Sequence, residues 1–414
     1  MKIESFVDVD VVALEVEDQV SVLLQLAAPV APSDAARPPA ALVVVLDRSG
    51  SMDGERLWAA HVALCGLVDR LDPVDVFGLV AFDDVATVVV PAGPLVDKAA
   101  VKAAILGVDA RGTTDLSAGY LRGLQEVARA GCDSARVLIV SDGHANAGVT
   151  DPDRLAEVSA KAAGDGVTTT TLGLGLGYDE TLLGAVARSG NGSELFAEEP
   201  DGAIGQIADE LEGLLAQTVT AASLLVTPTS DVIGVRVVND LPSSSVGSGI
   251  LVELGGFVPG EERKVVLTFD VPGMTALGPV DVASIELRYV LLPNLVEEAV
   301  TLPVRVNVVS GEDAADRQVN PVVRTELAFQ RTQLAKREAS RHLHDGDVLA
   351  AGAALRSALG DVGTAIAGAP PMLAAELAGE VDMLTELIAE AEAGSASRAS
   401  KTMNADAARK SRHH

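Results

Sequence analysis

The sequence predicts an α/β protein in which a doubly wound, mostly parallel sheet is inserted into an antiparallel β-sandwich and followed by a helical region. Three observations carry this reading. Between 41 and 217, short continuous apolar runs alternate with helical segments, the pattern of strands buried on both faces and joined by crossover helices. On either side of that stretch the apolar residues recur with period two. From 313 onward the period becomes helical.

In chain order, residues 6–26 alternate through Val12, Leu14, Val16 and then Val20, Val22, Leu24 and Leu26, which predicts strands. Residues 29–39 are rich in Pro, Ala and Asp and read as a linker. Residues 42–46 are unbroken apolar, as a central parallel strand should be. A helix over 55–71, strands at 76–82 and 87–90, and helices at 97–106 and 116–130 follow. The strand 137–140, helix 152–163, strand 168–172, helix 180–188, a short strand near 194–196 and the helix 204–215 close the set. Beyond 217, the stretches 265–271, 285–289 and 302–308 alternate again between Pro- and Gly-containing breaks, the pattern of a sandwich. The N-terminal strands share this alternation and are expected to complete the sandwich. Residues 313–392 read as helices, with Val323, Leu327 and Leu334 on one face and breaks at Gly346, Gly352 and Pro370–Pro371. The last stretch, 394–414, is rich in Ser, Ala, Lys and Arg and is expected to be a flexible tail. The expected domains are 1–40, 41–217, 218–310, 311–393 and the tail.

Composition narrows the partners. The chain of 414 residues is 48% hydrophobic but only 3% aromatic, so its cores must be built from Val, Leu, Ala and Ile. A formal charge of −28 repels phosphate backbones and anionic lipid, which makes nucleic acid and membrane surfaces poor candidate partners. It also repels acidic proteins unless a metal ion stands between. Cys65 and Cys132 fall in expected helices without a CxxC spacing, so they read as buried small hydrophobes in a reducing compartment. Residues 1–10 are acidic and lack the apolar run of a signal peptide. No uncharged apolar stretch reaches the roughly 18 residues of a membrane span, so a cytoplasmic protein is expected.

The chemistry concentrates at Asp47-Arg48-Ser49-Gly50-Ser51-Met52, directly after the apolar run 42–46. In open α/β sheets, ligands bind at the carboxyl ends of the strands. One carboxylate and two hydroxyls at alternate positions can converge in a turn that Gly50 makes flexible. Such hard oxygens suit Mg²⁺, Mn²⁺ or Ca²⁺. Alone the pattern is weak, being short and made of common residues. Two further segments strengthen it. Gly112-Thr113-Thr114-Asp115 opens the helix 116–130, and Ser141-Asp142-Gly143 ends the strand 137–140, so three loops offer oxygen ligands on one sheet edge.

Asp47-x-Ser49-x-Ser51, then Thr114, then Asp142 in a Ser-Asp-Gly turn resembles the metal-ion-dependent adhesion site of von Willebrand factor A domains. Residues 175–180, Leu182–Leu183 and Gly190-Asn191-Gly192 resemble the C-terminal part of bacterial members. The likeness covers 41–217. It implies that Ser49, Ser51 and Thr114 supply hydroxyls to one divalent cation, that Asp47 and Asp142 bind it directly or through water, and that a partner's acid takes the remaining position. Thr113 and Thr114 compete for one role; Thr114 is chosen because the family's Thr usually precedes Asn or Asp, here Asp115. The flanking strands resemble bacterial proteins likened to inter-alpha-trypsin inhibitor heavy chains. The resemblance also suggests MoxR-type AAA+ ATPases as partners.

Other features read as structural. Asp53 and Glu55 could line a second cation site, but acids at a helix N-terminus are what the dipole favours. Gly173, Gly175 and Gly177 lack the third glycine of a dinucleotide loop, since Tyr178 occupies its place, and read as a Gly-rich turn. His144, His342 and His344 read as surface residues, and no Walker A sequence is present. Two functions compete with cation-dependent protein binding. A Mg²⁺-dependent phosphatase would need a second Asp as general acid where Ser49 stands. A structural protein with a vestigial site would bind no metal.

Overall fold

The computed structural model describes residues 1–30, 39–132, 135–230 and 232–413. The chain forms two compact units, one from residues 34–217 and the other from 1–33 together with 218–414. The expected linker at 29–39 falls mainly outside the described residues.

The N-terminal strands are β1 (Lys2–Val7), β2 (Val11–Ala13) and β3 (Asp18–Ala27). The α/β unit then builds one six-stranded sheet from β4 (Ala41–Asp47), β5 (Val76–Phe82), β6 (Ala86–Pro94), β7 (Ala135–Ser141), β8 (Val167–Leu174) and β9 (Asn191–Ala197). Its spatial order is β6-β5-β4-β7-β8-β9, parallel throughout except that β6 returns antiparallel beside β5. The chain moves from β4 to β5 on one side and later reaches β7 on the other. The gap between the carboxyl ends of β4 and β7 is therefore a topological switch point, where loops diverge and leave a crevice.

Among the described residues six helices cover this sheet: α1 (Glu55–Arg70), α2 (Lys98–Leu106), α3 (Leu116–Ala130), α4 (Pro152–Gly164), α5 (Glu180–Ser189) and α6 (Pro200–Leu215). Leu57, Leu64, Ile105 and Ile207 place α1, α2 and α6 in the core on one face. Leu116, Leu155 and Leu182 place α3, α4 and α5 in the core on the other. Double coverage explains why β4 is buried at every position. Helix α3 lies close to the sheet because it carries Gly119 and Gly123 there. A Cβ on Gly119 would stand 2.6 Å from the Phe82 ring, and one on Gly123 would stand 2.5 Å from a Val45 methyl.

The second unit continues with β10 (Val219–Pro228), β11 (Gly234–Val237), β12 (Ser243–Val246), β13 (Gly249–Phe257), β14 (Glu262–Val271), β15 (Gly278–Leu291) and β16 (Val296–Val309). Two sheets result, β1-β3-β14-β11 and β12-β13-β10-β15-β16-β2. The N-terminal strands complete the sandwich: β3 pairs antiparallel with β14, and β2 pairs parallel with β16. Val20, Val22, Leu24 and Leu26 point into the inter-sheet core with Leu224, Leu267 and Ile285. Leu23, on the opposite face of β3, breaks the polar-out pattern. It packs with Val266 and Val323, so a helix covers it.

That helix is α8 (Pro321–His344), which follows the short α7 (Gly311–Ala315) and precedes α9 (Val348–Ile366), α10 (Pro371–Glu392) and α11 (Ala396–His413). The expectation of a flexible tail over 394–414 is overturned. Ala399, Met403 and Ala407, spaced four apart, are fully buried along one stripe of α11. Their small size and the polar residues between them hide this stripe from a reading of composition. Cys65 and Cys132 are partly buried against the two cores of the α/β unit and form no disulfide; only the helix expected at Cys132 is corrected, since it lies beyond the end of α3, whose C-cap is the left-handed Gly131.

The helices close around a charged cluster. Lys336 on α8 is 0% exposed, and its Nζ donates to Glu380 Oε2 and Asp406 Oδ2, both at 2.6 Å, and to Gln333 Oε1 at 3.1 Å. Lys410 Nζ reaches Glu380 Oε1 at 2.5 Å and Asp406 Oδ2 at 2.9 Å. Burial alone would raise the Glu380 and Asp406 carboxyls, but the two lysines outweigh it and hold both below their ordinary values of 4.5 and 3.8. Removing the shared cation leaves buried anions underpaired, so Lys336→Met should destabilise this unit by about 3 kcal/mol in urea unfolding. Because the folded carboxyls titrate below the unfolded ones, their stabilisation is complete above about pH 5 and fades as pH falls through the depressed folded values. Urea midpoints at pH 7 and pH 3 should show that loss in the wild type, and a smaller one in Lys336→Met.

Candidate metal centre

The residues singled out in the sequence meet at the switch point. Asp47 is the last residue of β4 and is fully buried. Its Oδ1 accepts the Ser49 N–H at 2.7 Å, and its Oδ2 accepts the Ser141 hydroxyl at 2.5 Å. The first bond is an Asx-type turn that folds the 47–51 loop back over the strand end. Ser49 Oγ and Ser51 Oγ lie 3.1 Å apart, and Ser51 Oγ donates to Asp142 Oδ1 at 2.7 Å. Asp142 follows β7 directly, and its side chain is 0% exposed.

Thr114 enters from the third loop. Its N–H donates to Asn146 Oδ1 at 3.0 Å, and its carbonyl accepts from Asn146 N at 3.1 Å and Ala147 N at 3.3 Å. Gly143 lies between its hydroxyl and that of Ser51: a Cβ there would stand 3.3 Å from Ser51 Oγ and 3.4 Å from Thr114 Oγ1. Thr114 is thus the threonine whose hydroxyl faces the serine loop. All five residues converge, and they bring two carboxylates and three hydroxyls.

Three residues that build the site escaped the sequence reading. Asp83 accepts from both Arg48 Nε and Arg111 Nε at 2.9 Å. Its backbone carbonyl accepts the Asp115 N–H at 2.8 Å, and the Arg48 carbonyl accepts the Arg111 N–H at 2.7 Å. Asp83 thereby fastens the serine loop to the threonine loop. Burial works to raise its carboxyl, but the hydrogen bond from Arg111 and the charges of both arginines leave it below the usual range. Its signal was available, since Asp83 directly follows the apolar run 76–82 at the same sheet edge. Asn146, four residues past Asp142, clamps Thr114 and carried no sequence signal of its own. Arg56 donates through Nη1 to Asp142 Oδ2 at 2.5 Å and to the Ser51 carbonyl at 3.1 Å. Its signal was a cation in the first turn of a helix, the end where the dipole disfavours one.

The Asp47 carboxyl is raised, chiefly by burial; hydrogen bonds from Ser141 and Ser49 offset part of this, and the nearby Asp142 charge adds to it. Two acids facing one crevice call for a cation. The donor set fits a hard one, since Asp47, Asp142, Ser49, Ser51 and Thr114 offer only oxygen atoms. The glycines at the end of β8 and in the turn after it serve packing. A Cβ on Gly173 would meet the Tyr178 ring at 2.4 Å, and one on Gly177 would meet the Asp142 carbonyl at 2.9 Å. His144 is exposed, with Nδ1 3.8 Å from Asp179 Oδ2.

Residues 41–210 match the model of the von Willebrand factor type A domain, and this segment of the chain is a domain of that family. The architecture of almost the whole chain recurs in a solved von Willebrand factor type A structure from Catenulispora acidiphila. That likeness has a TM-score of 0.72 and 20% identity, over 93% of this chain and 89% of the other, and it establishes the shared fold. The uncharacterized Synechocystis protein sll0103 is 29% identical over 318 residues, covering 72% of this chain and 74% of that one. Bovine inter-alpha-trypsin inhibitor heavy chain H4 is 27% identical over 187 residues, or 42% of this chain but only 20% of the heavy chain. Both likenesses expected from the sequence are borne out. Among the described residues no helix is long and apolar enough to cross a membrane.

Asp83→Ala strands the buried guanidinium of Arg48 and unties two loops. A loss of about 3–5 kcal/mol is expected, read as a lower unfolding midpoint, with faster hydrogen exchange at the Gly50 and Arg111 amides.

Proposed function

We propose that the site binds one divalent cation, Mg²⁺ with Mn²⁺ or Ca²⁺ able to replace it, and through it captures an acidic side chain of a partner protein. The observation that carries this reading is the convergence of Asp47, Ser49, Ser51, Thr114 and Asp142 at one strand-end crevice, with two acids among five oxygen-bearing side chains. The family is one of adhesion and scaffold modules in which metal at this motif is common, which supports the same reading. When bound, the cation supplies a Lewis-acidic centre left under-neutralised by neutral hydroxyls, and so an electrophilic position for a foreign carboxylate.

The chain's own groups prepare that position. The Asp47 carboxylate is held by Ser141 and by the Ser49 amide, so its orientation is set before any ligand arrives. Gly143 leaves room between the Ser51 and Thr114 hydroxyls. Asn146 and Asp83 fix the loops that carry them, as the supporting groups of a metal site do. Ser49 stands where a phosphatase of this kind needs an Asp as its general acid. We therefore read the chain as a non-enzymatic binding module. The partner class is a protein that presents an exposed Asp or Glu, and MoxR-type AAA+ ATPases are the group to test first.

Calorimetric titration with MgCl₂ and MnCl₂ should show one site in the wild type and none in Asp47→Ala. Ser51→Ala should weaken binding by about tenfold or more. Affinity capture from lysate should yield a partner in Mg²⁺ that is lost in EDTA and lost with Asp47→Ala. A partner retained equally well in EDTA defeats the proposal, and absence of any metal heat would point to a vestigial site.

A further inference from the structure

Asp142 already has a cation. The Arg56 guanidinium donates to its Oδ2 at 2.5 Å and to the Ser51 carbonyl at 3.1 Å, while Ser51 Oγ holds the other carboxylate oxygen at 2.7 Å. Both oxygens of a carboxylate with no solvent exposure are thus engaged within the chain. Arg56 lies in the first turn of α1, where a positive side chain opposes the helix dipole, so its placement answers to Asp142 and not to the helix.

A slot is built for it. Gly175, in the turn after β8, adopts the left-handed region at φ +68°. A Cβ there would stand 3.2 to 3.5 Å from Nη2, Nε and Cζ of Arg56. The glycine therefore serves both the turn and the passage of the guanidinium. The Arg56 side chain is 41% exposed, so it can withdraw from Asp142 toward water without unpacking a core.

Resting on the metal-binding reading above, we propose that Arg56 is a resident counter-cation: it partners Asp142 in the metal-free protein, competes with the divalent ion, and strengthens the hold on an acidic ligand afterwards. The charges give this its sign. Two carboxylates and one guanidinium total −1; with a divalent ion bound, the same groups total +1. With a neutral residue at 56 the corresponding totals are −2 and zero. Arg56 thus repels the incoming cation but leaves surplus positive charge for a carboxylate, in a chain whose net charge of −28 otherwise repels acidic partners. The two effects have opposite signs, which a merely structural arginine would not produce.

The test is MnCl₂ calorimetry on the full chain, with water-proton relaxation of the bound Mn²⁺ during titration with acetate as the simplest carboxylate probe. Arg56→Gln should bind Mn²⁺ about tenfold tighter and need about tenfold more acetate to displace bound water. Arg56→Lys keeps the charge and should stay near the wild type in both measurements. Circular dichroism of each variant should match the wild type. If folded Arg56→Gln binds Mn²⁺ no more tightly than the wild type, or its acetate response is unchanged, the counter-cation role is overturned while metal binding stands. If the wild type itself gives no Mn²⁺ heat, the metal reading fails and takes this one with it.

Discussion

Asp47 and Asp142 end adjoining strands of a doubly covered sheet, and neither carboxylate reaches water to any useful extent. Two buried anions that face one crevice repel each other, and each is expensive to desolvate. The surrounding loops answer this constraint. Ser141 and the Ser49 amide hold Asp47; Ser51 and Arg56 hold Asp142. Asp83 locks the serine and threonine loops together, so the hydroxyls meet those acids in one place. The fold supplies the meeting point, because the strand order reverses between β4 and β7 and leaves a crevice there.

The same physics recurs in the second unit with a different outcome. Lys336, Lys410, Glu380 and Asp406 form a mutually satisfied buried cluster, with each acid placed against both lysines. It offers no open position, and its effect is to fix how α8, α10 and α11 pack, since a shifted helix would strand a buried charge. In the crevice of the α/β unit the two acids Asp47 and Asp142 face one cation, Arg56, and the remaining donors are hydroxyls that can turn toward an ion. A closed cluster specifies packing, whereas an open one of opposite balance suits ligand capture.

Most of the architecture could be read from periodicity. Helices and strands of the α/β unit fall close to their expected positions because buried parallel strands leave unbroken apolar runs such as 42–46. The sandwich was legible where one face is polar, as in 302–308. Strand β12 was not, since Ser243, Ser244 and Ser245 are exposed and carry no apolar pattern; pairing with β13 alone makes it a strand. Helix α11 was missed because its buried stripe is made of Ala and Met among lysines and serines. Its polar members, Ser400 and Asp406, are buried against partners that only the folded chain brings near.

By itself the sequence determined the doubly wound sheet, its insertion between sandwich strands, and four of the five residues of the crevice, because these follow from periods of two and 3.6 and from motifs local to two strand ends. Tertiary structure decided which threonine faces the serines, that Asp83 and Asn146 brace the loops, and that Arg56 reaches Asp142 from 86 residues away along the chain. It also decided that the last helix belongs to a core. Those facts depend on side chains meeting across the fold, and one-dimensional spacing carries no record of such meetings.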